Sequence, residues 1–446
     1  MKRHNGTRRN IQVAGILLLN ASLVLAGWHD PETTVQIGNV QTAARDAKTA
    51  TVSFDLSWQN SWRHEINHDA IWVVFKVRPE GATDWQPVRL VADRVLNPTG
   101  YGQELGTPME FMVPDGEEGF LGMFVRRAEF GQGAATATNL TAVWDLTAVT
   151  GISSPEKVQM RACGVEMVYV PEGPFYLGLN PAEVSPLSKG PSVHPFFMYT
   201  DGAQSNRPYR VTGPGAMATG KQKGKLWATG LEPEDGGEIP AAFPNGYAAF
   251  YCMKMKIKTM QYVDFLITLP DAEAEKRAPK GIMAIRAGTP GNYTYGVPDN
   301  QGWIHIIHLA WPDSVAWAAW AGLRPMTELE YEKASRGPLE PGVQMNFALQ
   351  YNAYWGMHDF NGWKTQREHP VTVGNAAGRR FKGTHGRGTS VLPEDWPQND
   401  GVGAGQRGGD YDNQPSSRAV AATPALEQSD WQTWRGVRTA PKEAAQ

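Results

Sequence analysis

The chain has 446 residues, more than one hydrophobic core usually organises, and its 41% hydrophobic and 20% charged residues are ordinary for a folded protein, so two domains are expected. The formal net charge of −3 includes Lys2, Arg3, Arg8 and Arg9 at the extreme N-terminus, so the remainder is more acidic still. That balance argues against a grip on nucleic acid phosphates or on an anionic membrane surface.

The first element is "MKRHNGTRRNIQVAGILLLNASLVLAGW", a basic region followed by an apolar stretch from Ile11 to Ala26, with Val24 and Ala26 at the −3 and −1 cleavage positions. It reads as a secretory signal peptide over residues 1–26. The apolar stretch is too short for a membrane anchor, is interrupted by Asn20, and has no second hydrophobic run of spanning length behind it. No cysteine follows the cleavage point, which argues against a lipoprotein, and the "RR" of "TRRNIQ" leaves a twin-arginine export signal open. Export implies an oxidising compartment, in which Cys163 and Cys252, the two cysteines of the chain, form one disulfide as readily as two thiols.

Residues 28–150 are strand-like throughout. "TATVSFDLSW", "AIWVVFKVR" and "LGMFVRRAEF" are rich in Val, Phe, Ile and Trp, alternate in part, and are separated by polar turns, so they predict an antiparallel β-sandwich of immunoglobulin-like type. Within it, "HEINH" (His64–His68) matches the H-E-x-x-H pattern, which on a helix sets two imidazoles one turn apart around zinc beside a general base, here Glu65. The surrounding "QNSWRHEINHD" is too short and too polar for a buried helix, so a solvated hairpin loop is expected instead. "HIIH" (His305–His308) fares no better, because a strand would point its two rings to opposite faces.

A linker is predicted over 151–159 from "TGISSPEK", and a second domain over 160–440, leaving a tail at 441–446. The second domain opens on "EMVYVPEGPFYLG", a strand, a Pro/Gly turn and a strand. A loop insertion of low periodicity follows at about 180–245. "YAAFYCMKMKIKTMQYVDFLITL" then passes from a strand into a helix capped by Thr259, with Tyr262, Val263, Phe265 and Leu266 on its buried face. In "HLAWPDSVAWAAWAGLRPMTELEYEKASRG", one helix presents Trp317, Trp320 and Ala321 and stops at Gly322. A second helix starts in a capping box between Thr327 and Glu330 and carries Leu329, Tyr331 and Ala334 to Gly337. Its acids are assigned to the positive end of the helix dipole. After Gly337 the chain is dominated by glycine, asparagine and aromatics, and "WRGVRTAP" (Trp434–Pro441) returns to a strand pattern that would bring the terminus beside the domain's first strand.

Taken in order, "MVYVPEGPFYLG", "FYCMKMKIKTMQYVDFL" and "WAGLRPMTELEYEKASRG", then "RGGDY" and "RGVRTA", resemble the formylglycine-generating enzyme (sulfatase-modifying factor) family over roughly 160–440. The resemblance implies a compact mixed domain of C-type-lectin kind, and with the sandwich in front an α+β chain. Members oxidise a substrate cysteine to formylglycine with two cysteine thiolates that hold copper(I), a soft ion that prefers sulfur. Laid along "GGDYDNQPSSR", the two cysteine positions of the family fall near Asn413 and Arg418. The central G-N-x-W-E-W segment of the family is altered as well, to "YWGMHDFNGWKTQREHPVTVGN" (Tyr354–Asn375). Cys163 and Cys252 sit in the early anchors, where a structural disulfide or two buried thiols outweigh a relocated copper site. The iron-dependent sulfoxide synthases of the same family take histidines from a helical domain, and the strand-rich region here argues against that chemistry.

The expectation is therefore an exported, non-oxidase member that binds a glycan or a surface protein through Asp410, Tyr411, Asp412, Asn413, Arg418 and Trp434. Some members hold calcium on loop oxygens, and Asp410, Asp412 and Asn413 are the candidate ligands for it. Two alternatives remain: an oxidase using Cys163 and Cys252, and a structural piece of a cell-surface assembly docked through the sandwich.

Overall fold

The computed structural model describes residues 35–114, 120–178, 208–227, 237–279, 285–289, 293–297, 304–340, 353–358, 368–374, 376–407, 426–428 and 432–445, with the backbone of 197–198. The fold is mostly β with few helices, and its sheets are antiparallel, a β-rich member of the expected α+β class.

One sheet has four strands in the order Gln36–Ala44, Thr49–Arg63, Gly131–Asp145, Leu105–Gly106. Along Thr49–Arg63 the side chains of Ala50, Val52, Phe54, Leu56 and Trp58 are buried and those between them are not, because successive strand residues point to opposite faces and only one face is covered. The other sheet runs Arg324–Pro325, Gly436–Thr439, Phe250–Met253, Val158–Val170, Asp69–Pro79, Gly122–Arg127, Met109–Met112, and Gln86–Pro87 also pairs with Asp69–Pro79. At its centre Asp69–Pro79 is buried on both faces, which explains the unbroken apolar run "AIWVVFKV". Ile71, Val73, Phe75 and Val77 pack against the four-stranded sheet, while Trp72 and Val74 pack on the opposite side.

Asp69–Pro79 pairs with Val158–Val170 from Asp69 opposite Val168 to Pro79 opposite Val158. Strands from either side of the 151–159 stretch thus share one sheet, and that stretch is a turn feeding Val158 into it.

Among the described residues, four helices accompany the large sheet: α1 (Thr259–Ile267), α2 (Asp271–Arg277), α3 (Trp311–Trp320) and α4 (Glu328–Arg336). α1 buries Tyr262, Val263, Phe265 and Leu266 as predicted. Thr259 does not cap it: Gln261 Oε1 reaches back to accept from the Lys258 N–H at 2.9 Å, and the Thr259 hydroxyl donates to the Ile304 carbonyl at 3.0 Å. α3 is tied to the sheet beneath by Trp72 Nε1, which donates to Ala321 O at 2.8 Å, and by Lys76 Nζ, which donates to Trp320 O at 2.7 Å. Gly322 ends it with φ +68°, a backbone conformation that side-chain-bearing residues avoid. α1 and α3 lie on one face of the sheet. The other face is covered at one end by the four-stranded sheet and at the other by Tyr331 and Ala334 of α4 with Ala353, Trp355 and Met357.

Two expectations need correction. The described part of the 180–245 insertion is not an unstructured loop: Tyr209–Val211 pairs with Phe175–Leu177, Met217–Ala218 pairs with Glu238–Ile239, and Val211, Met217, Leu226 and Ile239 join the core on the α1/α3 face. The returning strand Gly436–Thr439 lies beside Phe250–Met253 and Arg324–Pro325, so one strand separates it from Val158–Val170.

Candidate functional site

The segment singled out by sequence, Arg407–Arg418, lies outside the described residues beyond Arg407, and so do Asp410, Tyr411, Asp412, Asn413 and Arg418. Arg407 is fully buried, and its N–H donates to Glu368 O at 2.8 Å while its own carbonyl accepts from the Glu368 N–H at 2.8 Å. The Arg407 guanidinium bonds the Glu332 carboxylate, approaches Glu328 at 3.7 Å, and lies 5.0 Å from the centre of the Tyr331 ring. Further along the chain, the Leu309 N–H donates to Gln432 O at 3.1 Å and the Ile257 N–H to Trp434 O at 3.0 Å.

All nine residues of α4 are buried, including three acids and two bases that water would otherwise hold. The Thr327–Glu330 capping box forms as predicted: Glu330 N–H donates to Thr327 Oγ1 at 3.1 Å and Thr327 N–H to Glu330 Oε2 at 3.0 Å. The acids do more than oppose the helix dipole. Glu330 accepts from both terminal nitrogens of Arg324, at 2.8 and 2.6 Å, and Glu328 accepts from the Thr372 hydroxyl at 2.7 Å and the Val373 N–H at 2.8 Å. Burial pushes the Glu332 carboxyl up, and the Arg407 charge opposes that push. Nearby, Arg435 bonds Glu368 at 3.2 Å and donates to the carbonyls of Met253, Lys254 and His358 at 2.7 Å. The arrangement is a frame of buried ion pairs, bidentate at Arg324–Glu330, around Arg407 and Arg435. Sequence reading missed Arg324, Glu328, Glu332, Glu368, Arg407 and Arg435. The one available signal was their type: acids and arginines spaced through an otherwise glycine-rich, aromatic region.

The two cysteines are free thiols. Cys252 lies opposite Val168 in the sheet, five positions along the strand from Cys163. At about 3.3 Å per residue the two are about 17 Å apart, far beyond the ~7 Å between Cα atoms that a disulfide permits. An odd offset also places them on opposite faces: Cys163 belongs to the core beneath α1 and α3, Cys252 to the core beneath α4. Burial pushes both thiols well above their ordinary range. Two sulfurs so placed do not fit a shared copper(I) ion, and the expected alternative of a structural disulfide gives way to two buried thiols.

Trp434, expected on the ligand-facing surface, is fully buried and meets Trp317 edge-on at 6.1 Å between ring centres. Its ring faces the core because Gly436, whose Cβ would lie 2.5 Å from it, gives it room. "HEINH" is the turn between Thr49–Arg63 and Asp69–Pro79. His64 and Glu65 are exposed there, whereas His68 is buried and hydrogen-bonded to Tyr251 Oη at 2.7 Å, so the two imidazoles do not converge.

A second concentration of buried charge lies between the sheets. Asp69 accepts from Trp58 Nε1 at 2.9 Å, Ser61 Oγ at 3.1 Å and the Trp62 N–H at 3.0 Å, and Lys254 Nζ bonds Glu166 Oε1 at 2.6 Å beneath the Trp62 ring. Burial holds Glu166 up to about 8, against the pull of Lys254 and with the help of the Asp69 charge. Glu166 also lines a groove of about 460 Å³ between Val35–Ile37 and the first turns of α1.

No family model matches the chain. A stretch of 117 residues is 34% identical to the formylglycine-generating enzyme of Bos taurus and covers 26% of this chain and 26% of that protein. A stretch of 35 residues is 51% identical to the formylglycine-generating enzyme of Thermomonospora curvata, covering 8% of this chain and 12% of that one. The chain is thus similar to these proteins in segments, and the matched segments span only about a quarter and an eighth of their lengths.

Proposed function

We propose that this chain is an exported, non-oxidase relative of the formylglycine-generating enzymes that recognises a glycan or another surface protein. The observation that carries the reading is the placement of sulfur: the two cysteines of the chain are buried on opposite faces of one sheet, and the stretch Arg407–Arg418, where the resemblance expects two thiolates, has none. A scaffold that keeps the frame of a site without its reactive atoms serves binding, because function resides in the site and not in the fold. The frame itself supports the reading, since buried ion pairs on α4 and at Glu368 hold Arg407 and Arg435, between which the sequence carries Asp410, Tyr411, Asp412, Asn413 and Arg418. Such planar polar and aromatic groups suit sugars and polar protein surfaces, and Asp410, Asp412 and Asn413 offer oxygens to calcium. In this reading the two packed sheets at the front are an immunoglobulin-like module, and the remainder is C-type-lectin-like.

The test is a glycan array and a surface-protein screen with the mature chain, with and without calcium, and with a Tyr411→Ala, Arg418→Ala variant. Ligand capture that the variant loses is expected. Oxygen consumption on a cysteine peptide with copper(I), abolished by Cys252→Ser, would instead establish the oxidase.

A further inference from the structure

Three strands of the large sheet lie side by side in the order Asp69–Pro79, Val158–Val170, Phe250–Met253. Lys254 continues the last of them, and its N–H donates to Glu166 O at 2.9 Å, so Glu166 has Lys254 beside it on one strand. On the other side Ile71 stands opposite Glu166, and Asp69 lies two residues along from Ile71, on the same face. Each of the three strands thus contributes one ionisable side chain to a single cluster, and all three are buried. Lys254 Nζ is 2.6 Å from Glu166 Oε1, with the two side chains only 1% and 4% exposed. The Trp62 ring covers the ammonium at 4.8 Å, and Trp58 Nε1, Ser61 Oγ and the Trp62 N–H hold the Asp69 carboxylate in place.

As a structural ion pair the cluster is poorly balanced, because two carboxyl groups share one ammonium away from water. As a set of reactants it is complete. An amine held against a carboxyl group meets it at an effective concentration of about 10⁵–10⁸ M. Burial favours the product, since a neutral amide replaces two charges whose desolvation only close pairing offsets. Condensation needs a carboxyl group that keeps its proton. Burial, helped by the Asp69 charge and by a hydrogen bond with Asp69, holds Glu166 up to about 8, against the pull of Lys254. It also needs a base beside the attacking nitrogen, and the Asp69 carboxylate, which bonds Glu166 and feels the Lys254 charge, is placed to serve.

We propose that Lys254 and Glu166 join in an intramolecular isopeptide bond, with Asp69 carrying the proton between them. The reactive state has an amine at Lys254 and a protonated carboxyl group at Glu166, one proton transfer across the 2.6 Å hydrogen bond away from the ion pair. Nζ attacks Glu166 Cδ and the N–C bond forms. Asp69 takes a proton from the attacking nitrogen and passes it to the Glu166 hydroxyl, the C–OH bond breaks, and one water leaves. Amine and acid become amide and water, Asp69 ends as the carboxylate it began as, and no oxidant or reductant enters the balance. The product ties Val158–Val170 to the strand beside it across 88 positions of chain. It uses none of the residues of the function proposed above, so either can fail alone.

The test is a tryptic peptide map of the full mature chain, purified folded and then denatured, read by mass spectrometry. Trypsin does not cut at an acylated lysine, so the expected product is a branched peptide joining residues 162–189 to residues 226–256, lighter than the two together by one water. Lys254→Arg, which keeps the charge and loses the nucleophile, should lose the branch. Asp69→Asn, in chains folded by circular dichroism, should form it at least about a hundredfold more slowly after cell-free synthesis, the lower end of what a positioned acid–base group supplies. An unchanged rate there would remove Asp69 from the step. Because a variant can fail to fold, the map of the unaltered chain decides. Linear peptides cut at Lys254, with no branch, would overturn the proposal. So would a branch joining residues 64–76 to residues 226–256, which would put the amide on Asp69.

Discussion

The two ends of the large sheet are stabilised by different physics. Where the sheet faces the four-stranded layer, the interior is made of Val52, Phe54, Leu56, Ile71, Val73, Phe75 and their neighbours, and its cohesion is apolar burial. Where it faces α4, fully buried arginines and glutamates are interleaved with the apolar residues, and cohesion there depends on charges that are tolerable only in pairs. The first kind of core degrades gradually when a methyl group is lost. The second fails abruptly when one partner is removed.

The sharpest break of the comparison is Arg407→Met, which strands Glu332 in the interior and should cost about 3–5 kcal/mol, measured by urea denaturation. A Glu332→Leu second change should restore much of that loss, because a buried pair replaced by apolar groups of similar volume is often neutral. If Arg407→Met instead proves as mild as a surface substitution, the buried pairs do not carry the stability of this end of the sheet. In the apolar core Ile71→Val should cost only about 0.5–1.5 kcal/mol, since a single methylene is removed from a packed site. Thr327→Ala, which removes the acceptor of the Glu330 N–H, should cost a similar amount, about 1 kcal/mol.

That contrast also sets what could be read in the sequence. The alternation of Thr49–Arg63, the continuous apolar run of Asp69–Pro79, the capping box and the α1 face were legible because they are local patterns, decided by residues a few positions apart. The pairing of Arg407 with Glu332 spans 75 positions and that of Arg435 with Glu368 spans 67, and no periodicity announces either. The cysteines illustrate the same limit. Their strands are neighbours, but a register that offsets them by five residues decides that they face opposite ways, and register is fixed by the whole sheet. Trp434 likewise reads as a surface aromatic beside a polar loop until Trp317 and Gly436 are seen to enclose it.

The subtlest probe of the difference is pH. Glu166, held up to about 8 by burial, binds its proton in the folded state over a range in which an unfolded glutamate has lost it. Its contribution to stability is therefore fully present below the ordinary carboxylate range, near pH 4, and is lost as the pH rises through about 8. Lys76 and Lys333, lowered to about 7 by burial, act in the opposite direction above that pH, so the comparison must be made against Glu166→Gln and not in the native chain alone. Between pH 5 and 8 the melting temperature of the native chain should fall relative to that of the variant, with most of the divergence complete by pH 8. In chains without the Lys254–Glu166 amide, parallel curves would mean that Glu166 titrates in the folded chain as it does in the unfolded one, with Lys254 offsetting the cost of its burial.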